Sequence, residues 1–298
     1  MADKEQLVRE VADARQGFEE ACERMRPELH RFCTRMTGSP CDGEDVLQDA
    51  LVLAFYRFPE LRDGGSLRSW LFRIAHNKCI DFLRGKRRAL LPIGDEPESV
   101  EVSGVEDALV DKERVERALS NLVTELPAKE RACVVLKDVL DWSLEETAEI
   151  TGSSVGAVKA ALHRGRAKLE ATAHTEPEPR RLEPGHHALV ERYLAAFNRQ
   201  DWPGVQALVS DEARLEVVHR SEGPLKDARY FVNYGRLSWR WKLELTEVDG
   251  VEEIVHFREI DGVWQPHSLL QLGLKNGQIA VIRDYVHVAY LLAHSRVG

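Results

Sequence analysis

The 298-residue sequence has no run of the roughly 18 apolar residues that a membrane-spanning helix requires, and no membrane partner is expected. Its opening residues, MADKEQLVRE, are polar and acidic and lack the apolar segment of a secretory leader, so a cytoplasmic location is the expectation. Cysteine is sparse: Cys22, Cys33, Cys41, Cys79 and Cys133 are odd in number and irregular in spacing, and none forms a CxxC pair. That argues against both a zinc site and a disulfide scaffold, and for a reducing interior. No HExxH, GxSxG or phosphate-cradling glycine loop occurs, so no metal, cofactor or catalytic residue is expected. Internal repeats and long low-complexity tracts are also missing. The chain has no surplus of positive charge; its formal net charge is −9, which argues against a protein coated in nucleic acid.

What is present is charge sorted along the chain. Residues 57–90 hold nine Lys/Arg against three Asp/Glu, and residues 91–117 reverse this with nine acids against three bases. Residues 153–169 hold four Lys/Arg, one His and no acid. Two basic segments therefore flank an acidic one. The stretch SLRSWLFRIAHNKCIDFLRGKRR, 66–88, reads as a core helix that gains arginines toward its end.

The periodicity predicts helices over 4–22 and 27–37, broken near Pro27 and Gly38. Ser39 or Asp42 caps the next helix, which Pro59 stops near Phe58. PELRDGGS, 59–66, is a loop, and Ser66 caps the helix that follows. Residues 90–104 read as an extended acidic linker, and a helix resumes over 105–124. Three helices follow in 126–169, with Pro127 at a helix start, a capping box from Ser143 to Glu146, and Gly152 as a stop. HTEPEPRRLEPGHH, 174–187, is a second linker. Beyond it come helices at 186–199 and 202–209. Strand alternation then sets Trp239, Trp241, Leu243 and Leu245 on one face. Turns at Asp249–Gly250, Asp261–Gly262 and Asn276–Gly277 separate further strands of a curved, mostly antiparallel sheet.

LEETAEITGSSVGAVKAALHRGRAKL has the pattern of a helix-turn-helix. Leu144, Ala148 and Ile150 supply the first helix's contacts, and Val155, Val158 and Leu162 form the inward stripe of the second. Ser153, Ser154, Lys159, His163 and Arg166 are left largely to solvent, where they can meet bases and phosphates. No Arg, Asn or Gln stands at the start of that helix for a bidentate base contact, so backbone and shape contacts carry more weight.

DGEDVLQDALVLAFYRFPELRDGGSLRSWLFRIAHNKCIDFLRGKRR, 42–88, closely resembles region 2 of the extracytoplasmic-function group of bacterial sigma-70 factors, and 126–169 resembles region 4. The resemblance implies two all-α domains: a helical bundle at 1–90 and a helix-turn-helix domain at 113–172, joined by the linker 91–112. It implies bacterial RNA polymerase core, through its largest and second-largest subunits, and promoter DNA as partners. Asp45, Gln48, Asp49 and Phe55, with Arg57 nearby, match the helix that docks on the polymerase clamp. Residues 59–66 match the loop that receives a flipped base. Asn77, Lys78, Asp81 and Arg84 match the −10-reading positions, with Lys86, Arg87, Arg88 and Arg73 as phosphate contacts. Asp81 fits equally well as an internal partner of Asn77 or Arg84. The −35 contacts fall on Ser153, Ser154, Lys159, His163 and Arg166.

After the linker 173–185, residues 186–298 more loosely resemble SnoaL-like members of the NTF2-like superfamily, through ERYLAAFNRQDWPGVQALVSDEARLEVV. That implies an α+β, cone-shaped domain. His219, Trp239, Trp241, His256, Trp264, His267, Arg283 and Tyr285 are its pocket-facing candidates. Trp239, Trp241, His256, Arg283 and Tyr285 are the residues expected at a small-ligand pocket. Arg283 and Tyr285 share a face if 279–288 is a strand, and His256 and Glu259 face opposite ways. The expected role is regulatory, through contact with the sigma core or polymerase or through a small ligand. The competing readings are a ligand-sensing helix-turn-helix regulator and an enzyme fused to a DNA-binding module.

Overall fold

The computed structural model describes residues 2–60, 66–90, 126–172, 181–227 and 229–298. Side chains are described over the same ranges apart from 2–11, 87–90, Thr172 and Asp227. The acidic linker and the expected helix at 105–124 lie outside the described residues. The chain forms two compact units, Met1–Glu176 and Pro177–Gly298.

The first unit is helical: α1 (Ala2–Thr37), α2 (Pro40–Arg57), α3 (Leu67–Leu90), α4 (Ala128–Val134), α5 (Leu144–Thr151) and α6 (Val155–Thr172). Pro27 does not break α1 as its missing N–H suggested. Phe18, Cys22, Leu29, Phe32 and Met36 follow 3–4 spacing across it and are all buried, so packing on both sides of the proline outweighs the lost hydrogen bond. Gly38, at φ 83°, ends the helix. Ser39 then caps α2 by accepting from the N–H of Asp42, with Pro40 at the first helical position. Gly43 is required by close approach: a Cβ there would lie 2.7 Å from the Thr34 backbone nitrogen.

The segments on either side of residues 91–125 share one core. Phe32, Phe72 and Trp142 meet in it, with ring centroids 5.5 and 4.9 Å apart. Arg131 is buried on α4 and donates to the carbonyls of Met36 (2.5 Å) and Leu126 (3.0 Å). Burial lowers its pKa to about 10, which leaves it charged at neutral pH. A π-helical turn, Val135–Val139, continues α4. Ser143 and Glu146 form the expected capping box of α5, and Gly152 closes that helix at φ 64°. Gly165 lets α6 cross α4 closely, since a Cβ would meet Val134 Cγ2 at 2.8 Å.

The second unit places α7 (Pro184–Asn198), α8 (Trp202–Gln206) and α9 (Tyr230–Tyr234) with a six-stranded sheet. Its strands are β1 (Val209–Val217), β2 (Ser221–Pro224), β3 (Trp241–Val248), β4 (Val251–Ile260), β5 (Val263–Lys275) and β6 (Gln278–Asp284), in the order β2-β1-β6-β5-β4-β3. Every pairing is antiparallel except β1–β6. The three expected turns carry positive φ at both central residues, which brings the strands back with the twist a hairpin needs. Leu215, Leu243, Ile254, Leu270 and Ile282 face the helices and pack with Tyr193 and Phe197 of α7. Asn198 binds the backbone of Leu243 through both its amide groups, at 2.8 Å each, and so fixes the end of α7 to the edge strand β3.

Candidate nucleic-acid interface

Helix α3 begins at Ser66, whose hydroxyl accepts from the N–H of Ser69, and it buries Leu71, Phe72, Ile74, Ala75 and Cys79. The opposite face is left to Arg73, Asn77, Asp81 and Arg84, all exposed and spaced four, four and three residues apart. That spacing makes one stripe along the helix. Asn77 Oδ1 lies 3.3 Å from His76 Nδ1. Asp81, Arg84 and Arg73 make no side-chain hydrogen bond or ion pair among the described residues, so the internal pairing open to Asp81 is not formed. Lys78 is half-buried and off the stripe. Lys86 is exposed and reaches Asp42 at 3.2 Å, an exposed pair that DNA phosphate can replace at little cost. The side chains of Arg87 and Arg88, and most of the loop expected at 59–66, lie outside the described residues.

Helix α6 is capped by Ser154, which accepts from the N–H of Ala157 at 3.2 Å. Ser153 is half-buried, while Lys159 and His163, four residues apart, are exposed and without an intramolecular partner among the described residues. Arg166 departs from the expectation. Its guanidinium binds Asp138 at 3.0 and 2.7 Å in a two-point pair, with 19% of its side chain exposed. Arg164 and Lys168 both pair with the buried Glu130. Three of the four cations of this segment therefore hold α6 against α4 and its π-turn, leaving Lys159 and His163 as the outward pair.

On α2, Gln48, Asp49 and Arg57 are exposed and Asp45 is half-buried. Phe55 is half-buried and packs edge-on against Phe18 at 5.1 Å. The ridge instead contains Val52 (65% exposed) and Tyr56 (83% exposed), which sequence reasoning missed. Their spacing from Gln48 and Asp49 was the available signal, because no inward partner is left for either.

In the second unit, Trp239, Trp241, His256 and His267 come together, with ring centroids 5.3–6.1 Å from His256. Arg283 does not join them. Strand alternation puts it on the other face, where it pairs with Glu216 at 2.6 Å. Tyr285 follows the end of β6 and is buried, its N–H bonded to Leu269 O. His219 sits exposed in the β1–β2 turn, and Trp264 meets the cations of Arg240 and Lys242. At the end of β6, Asp284 is fully buried and accepts from Tyr230 (2.8 Å), Tyr234 (2.5 Å) and the N–H of Val286 (2.9 Å). Burial raises its pKa against the pull of these donors.

The sequence matches the family models for Sigma-70 region 2 over residues 22–89 and Sigma-70, region 4 over residues 116–169. It is 34% identical over 237 residues to the ECF RNA polymerase sigma factor SigG of Mycobacterium tuberculosis, across 70% of this chain and 64% of that protein. It is 34% identical over 170 residues to SigM of the same organism, covering 56% of this chain and 83% of SigM. The crystal structure of M. tuberculosis SigJ, an extracytoplasmic function sigma factor, aligns with 88% of this chain and 94% of its own at 18% identity and a TM-score of 0.34. The chain belongs to the ECF group of RNA polymerase sigma factors.

Proposed function

We propose that this chain is a promoter-specificity subunit of bacterial RNA polymerase. The α3 stripe reads and helps to open the −10 element, α6 binds the −35 element, and the α2 ridge docks on the largest subunit. The chain itself catalyses no step; phosphoryl transfer belongs to the polymerase. The second unit, a cone-shaped NTF2-like domain on this reading, adjusts that activity.

The observation that carries the reading is the stripe Arg73, Asn77, Asp81 and Arg84, exposed on a helix whose other face is core, with Arg73, Asp81 and Arg84 unpaired among the described residues. Two cations with a polar pair between them suit phosphates flanking a base contact. Run-off transcription with core polymerase over a genomic promoter library tests it. Initiation at a defined promoter set is expected, weakened by charge reversal at Arg84 and Lys86. Truncation after Glu176 should change the transcript level and give the sign of C-terminal control. Absence of promoter-dependent transcription, with specific duplex binding by the chain alone, would instead support a conventional helix-turn-helix regulator.

A further inference from the structure

Two polar side chains lie on the helix-facing side of the second unit's sheet with no hydrogen-bond partner. His256 on β4 is 1% exposed and neither ring nitrogen is bonded. Ser268, directly opposite on β5, is 0% exposed and its Oγ is unbonded. Each buried, unsatisfied atom costs about as much as a lost hydrogen bond, so three at one spot require a reason. Of the polar groups around them, Asp284 is engaged by its three donors and His267 Nε2 by Val286 O at 3.2 Å, whereas Arg258 Nε is buried without a partner.

Flat rings surround the pair. The Trp239 indole stacks on His256 at 5.3 Å and 27°, and Tyr234 lies 5.6 Å from it. Trp239 belongs neither to a helix nor to a strand. It sits on the connection 235–240, where Gly235, Arg236, Ser238 and Arg240 are exposed. The Arg258 guanidinium lies 4.9 Å from the centroid of the same indole. The indole thus fills a slot between an imidazole face and a cation, on a connection tied to β4 only past Trp239, where the Glu259 N–H donates to Arg240 O at 3.0 Å.

We propose that His256 and Ser268 are the polar end of a small-molecule site, and that an uncharged flat ring with a hydroxyl or lactam edge enters it by replacing the Trp239 indole. Burial and the neighbouring His267 push the His256 pKa down to about 3, so the ring is neutral and offers one donor and one acceptor. The Ser268 hydroxyl adds a second group that both gives and takes. An anionic group at the His256–Ser268 end is disfavoured, because the buried Asp284 carboxyl is linked through Tyr234 to the His256 ring, while the Arg258 cation lines the opposite wall of the slot. The site stands independently of the sigma role, and its test reads binding alone.

The full chain, with ¹⁵N-labelled histidine, is titrated with 2-naphthol, 2-quinolone and, as a charged control on the same ring, 2-naphthalenesulfonate. The His256 ring nitrogens should shift saturably with both neutral probes, and the sulfonate should bind at least tenfold more weakly. Ser268→Ala should lower affinity for the neutral probes about tenfold. Trp239→Ala should raise it, because the competing indole is gone while both polar groups remain. No saturable His256 shift in the native chain or the Trp239→Ala variant overturns the proposal. So does an unchanged affinity in the folded Ser268→Ala variant.

Discussion

The Arg68 guanidinium lies 3.8 Å from the centroid of the Trp142 ring. Arg68 stands at the start of α3, the helix with the exposed polar stripe, and Trp142 just precedes the first helix of the helix-turn-helix. Phe72 meets the same indole edge-on at 4.9 Å, and Trp142 is 1% exposed. Trp142→Ala removes a buried ring and a cation–π contact together. It should destabilise the first unit by about 3–5 kcal/mol, measured as a shift in its urea midpoint with an unchanged slope.

That shared core cannot reach both promoter elements at once. Elements at −35 and −10 are about 25 base pairs apart, or about 85 Å along B-form DNA. A compact chain of the length of Met1–Glu176 has a radius of gyration of about 16 Å. If α3 and α6 take the −10 and −35 elements as proposed, the contact at Trp142 is expected to open on the promoter. The five native cysteines are all buried, so dyes can be placed selectively at Asp13→Cys on α1 and Glu170→Cys on α6, both exposed positions. Energy transfer between them should fall when core polymerase and promoter DNA are added. Undiminished transfer would show that the core stays closed.

Arg166 and Lys159 should separate stability from DNA binding. Arg166 holds the partly buried Asp138, so Arg166→Ala leaves a carboxylate without its partner. A loss of about 2–4 kcal/mol is expected in denaturation. Lys159 is exposed and has no partner among the described residues, so Lys159→Ala should leave stability within about 0.5 kcal/mol. It should instead lower the slope of log affinity against log salt by about one in holoenzyme–promoter titrations.

The contrast between these two residues shows what was legible in the sequence. Local chemistry was: the Ser143–Glu146 box, the Gly152 stop and the three hairpin turns each depend on residues within a few positions of one another. The α3 positions were legible through the family resemblance, which also included Lys78; in the fold the helical period separates Arg73, Asn77, Asp81 and Arg84 from the buried face and leaves Lys78 half-buried. Long-range pairing was not. Arg166 meets Asp138 from 28 residues away, so it read as a solvent-facing charge. Pro27 misled because propensity gave way to packing on both sides of it. The His256–Ser268 pair needs the register of β4 on β5, where an irregularity between His256 and Phe257 shifts the pairing.

The α2 ridge gives a second separation. Phe55 is half-buried and packs against Phe18 of the core, whereas Tyr56, next to it in sequence, is 83% exposed. Phe55→Ala should cost about 3 kcal/mol of stability. Tyr56→Ala and Val52→Ala should leave the urea midpoint in place yet weaken binding to core polymerase, Tyr56→Ala by tenfold or more. Competition for core polymerase against a labelled sigma factor measures this. Equal affinities for Tyr56→Ala and the native chain would remove the ridge from the docking surface.

His256 should make the second unit sensitive to acid. Its pKa falls from 6.5 to about 3 in the fold, because burial and then His267 disfavour the charged ring. Below pH 6.5 the unfolded chain binds a proton at this position that the folded chain does not, so stability is fully present above that pH and falls as pH drops toward 3. The limiting slope is about 1.4 kcal/mol per pH unit for one proton. His267 and His287 are lowered in the same direction and add to the effect, while Asp284, raised by burial, opposes it in the lower part of the range. The informative quantity is therefore a difference. Melting the second unit between pH 7 and pH 4 should show a shallower decline for His256→Phe than for the native chain. Parallel curves would mean that the imidazole already finds a proton partner in the folded protein.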